Sequence, residues 1–380
     1  MTKKTLIVGP AYPYRGGIAA FNERLAEQLQ QEGHEVDLVT FTLQYPSFLF
    51  PGKTQYAAGP APETLRIERR INAVNPLNWL KTAKLVRKRR YDAVIFAYWM
   101  AFFAPCYRTV AKSLKGTVRI GLVHNMLPHE PSLMDRMLSP LFVRAMDGFV
   151  ALSKSVLGDI ERFDRRSKPK RFSPHPIYDH YGLRESREAA LGRLGLDKDS
   201  RYLLFFGLVR AYKGLDWLIE AFADARLRAF PVKLLIAGEF YDDKAPYLER
   251  IASHQLADKV IVHDAFVPDG EVKDFFNACD LVVQPYKTGT QSGITQIAYH
   301  FEKPMLVTNV GGLDEIVPDG KVGYAVHPDP KSIADALVDF FANGRQDDFK
   351  PGIVSEKEKY SWPRLTAVVQ SFFNTDNKAQ

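Results

Sequence analysis

The sequence has 380 residues, more than one ordinary hydrophobic core can organise, so two domains are expected. Its 46% apolar and 25% charged residues, with no low-complexity tract or repeat, exclude a disordered chain and a repeat array. The net charge of +7 hides an asymmetry: residues 1–175 hold 27 of the 51 Lys+Arg and 14 of the 44 Asp+Glu, a net of +13, which leaves 24 basic and 30 acidic residues, a net of −6, for the remainder.

A basic first half implies an anionic partner there: a phospholipid surface, a lipid pyrophosphate or nucleic acid. No recognised nucleic-acid motif accompanies the charge, so nucleic acid is not expected. Cys106 and Cys279 stand far apart in apolar contexts and read as buried thiols of a reducing compartment. Residues 5–9 form a short strand, not the longer apolar region of a signal peptide. The longest apolar run, residues 93–106, is too short to span a bilayer and contains Pro105. A cytoplasmic protein is expected, one that docks peripherally on the inner face of a membrane if the basic half meets lipid.

In chain order, Leu6-Ile7-Val8-Gly9-Pro10 closes a first strand, and a loop through Arg15-Gly16-Gly17 leads into an amphipathic helix over residues 21–31. Phe21, Leu25, Ala26 and Leu29 share its apolar face. Gly33-His34 ends it, and residues 35–40 are the second strand. A Gly-Gly loop between a first strand and its helix lets backbone approach a phosphate or sugar closely. No GxGxxG stands here, so a nicotinamide or flavin cofactor is not expected. The basic run of residues 81–90, behind Trp79-Leu80, suits a helix lying on an anionic membrane, and equally a solvated helix face. Residues 93–96 and 119–123 are further strands. The second ends at His124, where side chains of α/β folds project toward ligands; the imidazole there acts as a neutral base, as a charge, or only as a cap. Residues 148–152 run into Ser153, a helix N-cap, and His129 is a loop residue.

Pro174-His175-Pro176 and the polar run to Lys198 read as the connection between domains. The one Asp-x-Asp, Asp197-Lys198-Asp199, falls there and reads as a solvated turn, so no metal is expected. Residues 201–207 restart the strand pattern. In the following loop Arg210 and Lys213 stand between the strand glycine Gly207 and a helix over residues 215–223. Two cations beside a helix N-terminus suit a diphosphate. Residues 233–238 and 259–263 are strands whose loops lie at the same edge. From Gln284 to Glu315 one βαβ unit is legible: strand, small-residue loop, helix, the strand Met305-Leu306-Val307-Thr308, then Gly311-Gly312. Residues 360–374 form a last helical pattern.

At residues 207–214 and 284–323 the chain resembles the retaining nucleotide-sugar glycosyltransferases of the GT-B fold, the large family-four group. The resemblance spans nearly the whole length. It includes Gly16-Gly17, Gly33-His34-Glu35-Val36, Lys213-Gly214, Ala237-Gly238-Glu239, Lys303-Pro304, and Gly311-Gly312 followed by Glu315 and Gly320. It implies an α/β chain of two Rossmann-like doubly wound domains facing across a cleft. The implied division is an acceptor domain of residues 1–178, a donor domain of residues 179–357, and a C-terminal helix, residues 358–380, crossing back. The implied reaction moves a sugar from a nucleoside diphosphate sugar to a glycan or lipid-linked acceptor with retention, without metal or cofactor. Arg210 and Lys213 are then expected on the leaving diphosphate, and His124 on the transferred sugar. Gly16, Gly17, Gln291, Ser292, Gly293, Thr295, Gln296, Gly311 and Gly312 are expected around the donor. Two departures stand out. The family's paired glutamates fall on Gly289 and Ile297, and its arginine after the strand glycine is Leu208, with Arg210 two positions later. Those losses leave a non-catalytic GT-B subunit as the alternative.

Overall fold

A computed structural model of the chain describes residues 2–45, 55–57, 59–127, 132–289 and 292–373. The chain divides into two compact units: residues 1–175 with the segment from Trp362 onward, and residues 176–361.

The first unit is built on seven parallel strands, β1 (Lys4–Val8), β2 (Glu35–Leu43), β3 (Arg66–Asn72), β4 (Ala93–Tyr98), β5 (Val118–Val123), β6 (Gly148–Ala151) and β7 (Lys170–Phe172), in the order β3-β2-β1-β4-β5-β6-β7. The connections run through α1 (Gly17–Gln31), α2 (Pro76–Arg89), α3 (Ala104–Lys112), α4 (Leu133–Ala145) and α5 (Lys154–Phe163). Helices on both faces explain why β4, AVIFAY, is buried at every position. Phe103, Tyr107 and Phe142 fill the core on one face, and Phe21, Leu25 and Leu29 fill the other. The sequence pattern hides β3. Its RIERRIN run carries the charges of an exposed edge strand, and Glu68 within it binds Arg70 at 2.9 Å and Arg89 at 2.8 Å.

The second unit has six parallel strands, β8 (Arg201–Phe206), β9 (Val232–Ala237), β10 (Val260–His263), β11 (Leu281–Gln284), β12 (Met305–Thr308) and β13 (Gly323–Val326), in the order β10-β9-β8-β11-β12-β13. Its helices are α6 (Arg187–Leu194), α7 (Leu215–Phe222), α8 (Ala245–Ser253), α9 (Asp269–Ala278), α10 (Gly293–His300), α11 (Leu313–Ile316), α12 (Pro330–Ala342) and α13 (Gln346–Lys357). The polar stretch that reads as a mere connection contains α6, capped by the Ser186 hydroxyl, which accepts from Ala189 N–H at 3.2 Å. Asp197 does form a local turn, accepting from Asp199 N–H at 3.0 Å and the Ser200 hydroxyl at 2.7 Å. The chain then returns to the first unit as α14 (Trp362–Gln370), where the Thr366 hydroxyl donates to Glu32 of the α1 C-cap at 2.7 Å. Cys106 and Cys279 are buried free thiols. Among the described residues no helix is long and apolar enough to cross a membrane.

Both sheets share one plan. The first strand lies inside, the next two pair to one side, and the chain then jumps to the other side. β1 and β4, and β8 and β11, thus flank the points where the winding reverses, and ligands of such sheets bind there, beyond the strands' carboxyl ends. The loops holding Gly16-Gly17 and Arg210–Lys213 leave from β1 and β8.

Candidate active site

In the second unit the loop after β8 is welded to its neighbours by backbone. Val209 N–H donates to Glu239 C=O at 2.9 Å and Tyr241 N–H donates back to Val209 C=O at 3.1 Å. Gly238 (φ 150°) leaves no room for a side chain, because a Cβ there falls 2.2 Å from the Gly207 carbonyl oxygen. Gly214, left-handed at φ 70°, is as constrained: a Cβ falls 1.9 Å from the Pro285 carbonyl oxygen, just beyond β11. Glycine therefore closes the β8 loop onto the β11 loop at the switch point.

That closure sets the two cations. The Arg210 guanidinium stacks 4.0 Å from the Tyr241 ring centre. The half-buried Lys213 ammonium reaches back to Gly207, 3.4 Å from where its Cβ would stand, and lies 5.9 Å from the Tyr286 ring centre. Neither meets a carboxylate among the described residues. Burial, and then repulsion from Arg210, lowers the Lys213 pKa from 10.5 to about 8. Lys287, whose backbone N–H donates to Tyr212 C=O at 2.7 Å, differs: Asp216 pairs with its ammonium at 2.6 Å.

The start of α10 gathers beside them. Ser292 caps it, accepting from Ile294 N–H at 3.2 Å, and its hydroxyl pairs with the Tyr286 hydroxyl at 3.1 Å. A Cβ on Gly293 would stand 2.9 Å from the Tyr178 ring, and one on Gly207 would stand 3.5 Å from Ile294. Thr295 is fully buried and donates its hydroxyl to the Ser292 carbonyl at 2.6 Å, which braces the helix start. Gln296 is 2% exposed, and its side-chain oxygen has no partner among the described residues. Gln291 lies outside the described residues. Gly312 opens α11, with no atom within 4 Å of a Cβ built on it, and Gly311 precedes it.

Sequence reasoning missed Gln284, the last residue of β11. It is 2% exposed, and neither side-chain amide atom has a partner among the described residues. As a polar end to an apolar strand it carried no signal. Lys303 of the Lys303-Pro304 pair proves to be structural: its buried ammonium donates to the carbonyls of Asn277 at 3.1 Å and Cys279 at 2.9 Å, closing the end of α9.

In the first unit Gly16 and Gly17 begin α1, and their loop is fastened from behind. Ala11 N–H donates to the Thr40 hydroxyl at 3.1 Å, Tyr12 N–H to Glu23 at 2.6 Å, and the Asn22 amide to Pro10 C=O at 2.8 Å. His124 follows β5, with its N–H on Tyr98 C=O at 2.8 Å. Its ring is buried edge-on to Phe21 at 4.7 Å, and Nε2 has no partner among the described residues. Burial, then the charge of His175, lowers its pKa from 6.5 to about 3, so the ring is neutral at physiological pH. The predicted residues thus fall into two groups. Arg210, Lys213, Ser292, Gly293, Thr295 and Gln296 gather in one unit, while Gly16, Gly17 and His124 belong to the other.

Residues 15–177 match the model of glycosyltransferase family 4, and residues 200–343 match that of glycosyl transferases group 1. The chain belongs to these glycosyltransferases. An uncharacterized glycosyltransferase of Methanocaldococcus jannaschii is 25% identical over 95% of each chain. A D-inositol 3-phosphate glycosyltransferase of Paenarthrobacter aurescens is 24% identical over 93% of this chain and 91% of its own. Among solved structures, Anabaena Alr3699/HepE in complex with UDP-glucose superposes with a TM-score of 0.69 at 15% identity, covering 98% of this chain and 99% of that one. The fold of the glycosyltransferase is therefore GT-B, two Rossmann-like units of seven and six parallel strands. At the positions where the family's acids are absent, Ile297 is buried in α10, and a Cβ on Gly289 would sit 3.3 Å from the Tyr286 ring. Neither supplies a side-chain oxygen.

Proposed function

We propose that this glycosyltransferase moves a sugar from a nucleoside diphosphate sugar to a glycan or lipid-linked acceptor, with retention at the anomeric carbon and without metal. The observation that carries this reading is the pair Arg210 and Lys213: a half-buried ammonium beside a guanidinium, neither meeting a carboxylate among the described residues, at the switch point of a parallel sheet. An anion is the missing partner. In the reaction the bond from the anomeric carbon to the diphosphate oxygen breaks, a bond to the acceptor oxygen forms on the same face, and the acceptor's proton leaves with the diphosphate. Charge builds on the departing oxygen, and Arg210 and Lys213 meet it with fixed positive charge. Gly293 stands at the start of α10 beside the same group, and Gln291, Ser292, Thr295 and Gln296 are the polar residues left for the sugar and ribose. The neutral His124 ring accepts or donates one hydrogen bond to a sugar hydroxyl, and the Gly16-Gly17 loop admits the sugar or acceptor closely.

The basic unit supports a second element, contact with an anionic lipid surface on the cytoplasmic side. On α2, Leu77 and Leu80 are 71% and 59% exposed, and Lys81, Lys84, Arg87 and Lys88 continue the same outward stripe. Trp79, by contrast, turns inward and donates its indole N–H to Asn72 C=O at 2.7 Å. Binding to vesicles with 30% anionic lipid at low salt, lost in the Leu80→Glu variant, is the expected result; no sedimentation with vesicles removes the element.

A thermal-shift panel of UDP, GDP, ADP and their common sugar conjugates, with and without magnesium, tests the donor site. Stabilisation by one nucleotide series, equal in both conditions, is expected. A shift that requires magnesium refutes the metal-free assignment. A shift without any hydrolysis or transfer of a labelled sugar turns the reading to a binding subunit.

A further inference from the structure

Phe21, in the second turn of α1, stands where three side chains meet. Its ring lies edge-on to His124 with centroids 4.7 Å apart, edge-on to His175 at 4.9 Å, and tilted against Trp362 at 5.1 Å. His175 is the last residue before the chain leaves the first unit, and Trp362 is the first after it returns. Within the second unit the two crossing segments are tied together at once, Ile177 N–H donating to Tyr360 C=O at 2.9 Å. Both crossings thus end on the ring that packs against His124.

We propose that Phe21 is a positioning residue, which fixes the His124 imidazole at the end of β5 and makes its placement depend on both chain crossings through His175 and Trp362. This rests on His124 acting at the transferred sugar. His124 Nε2 has no protein partner among the described residues, so packing, not a hydrogen bond at that nitrogen, orients this end of the ring. Phe21 is 1% exposed and supplies the nearest aromatic edge. It lies on the helix that Gly16 and Gly17 begin, so one rigid element carries the glycine loop at its start and the histidine's packing partner one turn later. Trp362 is itself held from outside by the Arg24 guanidinium, 5.3 Å from its ring. A chain of contacts therefore runs from the returning segment through Trp362 and Phe21 to His124, within one unit.

The test uses the full-length protein with 15N-labelled histidine, and donor turnover with whichever of UDP-glucose, GDP-mannose and ADP-glucose raises its thermal midpoint. Phe21→Leu keeps an apolar side chain but removes the ring. It is expected to move the His124 imidazole signals and to lower kcat about tenfold with KM for the donor within about twofold. In a His124→Ala background Phe21→Leu is expected to cost nothing further, because its effect passes through the missing ring. Unmoved His124 signals with kcat within about twofold overturn the proposal, as do losses that multiply across the two substitutions. If Phe21→Leu does not fold, Trp362→Leu takes its place with the same readouts and a smaller expected loss. A His124→Ala protein turning over at the wild-type rate overturns the sugar-contact reading alone, and the imidazole signals of Phe21→Leu then still decide whether Phe21 places the ring.

Discussion

Replacing Lys213 by methionine is expected to stabilise the empty protein while weakening its hold on the donor. The Lys213 pKa falls from 10.5 to about 8 because its ammonium is half-buried and faces Arg210. A depression of that size corresponds to about 3 kcal/mol of penalty on the charged form, and partial exposure to solvent reduces it to about 2. The unfolded chain holds the proton up to about pH 10.4, so between pH 8 and that value the unfolded state binds more protons than the folded one. Wild-type stability therefore rises with pH across this window, and the penalty is fully present below about pH 8. Lys213→Met removes both penalty and slope. At pH 7 the empty variant is expected to unfold a few degrees higher, about 4–8 °C for 2 kcal/mol in a unit of this size. Binding moves the other way. Losing one charge-assisted hydrogen bond to a diphosphate is worth roughly 1.5–3 kcal/mol, or about 10- to 100-fold in Kd. Calorimetry in buffers of different ionisation enthalpy gives the sharpest check. A diphosphate that restores the lysine's proton draws about 0.9 proton at pH 9 and about 0.1 at pH 7. A wild-type protein that takes up no proton at pH 9, or an empty variant that is less stable than wild type, refutes the electrostatic account of the site.

Two further substitutions test how the site is held. Gly214→Ala places a methyl 1.9 Å from the Pro285 carbonyl oxygen in a left-handed residue, so the loop must open; a loss of more than about 2 kcal/mol in denaturant midpoint is expected, with donor binding lost. An unchanged midpoint means that the two loops are not closed on each other. Lys303→Met deletes the donor to the Asn277 and Cys279 carbonyls. It is expected to destabilise by about 1–3 kcal/mol without changing the proton uptake at Lys213. Loss of that uptake in a folded Lys303→Met protein makes Lys303 part of the ligand site.

The interior strands were legible because they are buried on both faces and therefore read as apolar runs. Residues 305–308 coincide with β12, and 93–96 fall within β4. The edge strand β3 was not, since an edge needs charge more than it needs apolar side chains, and RIERRIN looks like surface. The βαβ pattern around residues 284–315 gave the loops at the carboxyl ends, whereas the close backbone approach at Gly214 and Gly238 shows only in the fold. What sequence spacing does not carry is which way a long side chain turns. Trp79, read beside a helix face that suited membrane and solvent equally, is docked inward, and Lys303 sits in the family pattern but closes a helix. Phe21 looked like one more apolar residue on a helix face, and only the fold brings it to His124.

The two buried glutamines extend the same logic to groups without charge. Gln284 and Gln296 are each 2% exposed, yet both amide atoms of the first and the oxygen of the second lack partners among the described residues. A buried polar group left unpaired costs about 1–3 kcal/mol, more than a strand end or a helix start of this size can ignore. In sequence both flank the loop that joins β11 to α10, whose Tyr286 pairs with Ser292 and lies 5.9 Å from the Lys213 ammonium. Where the family's acids are missing, amides of this kind offer a sugar both a donor and an acceptor without adding negative charge next to a diphosphate. Gln296→Leu is therefore expected to raise the thermal midpoint of the empty protein and to weaken the full nucleotide sugar more than the bare nucleoside diphosphate, by about tenfold for one lost hydrogen bond to a neutral partner. Equal weakening of both ligands assigns Gln296 to the nucleotide instead, and a lowered midpoint means its amide is satisfied within the protein.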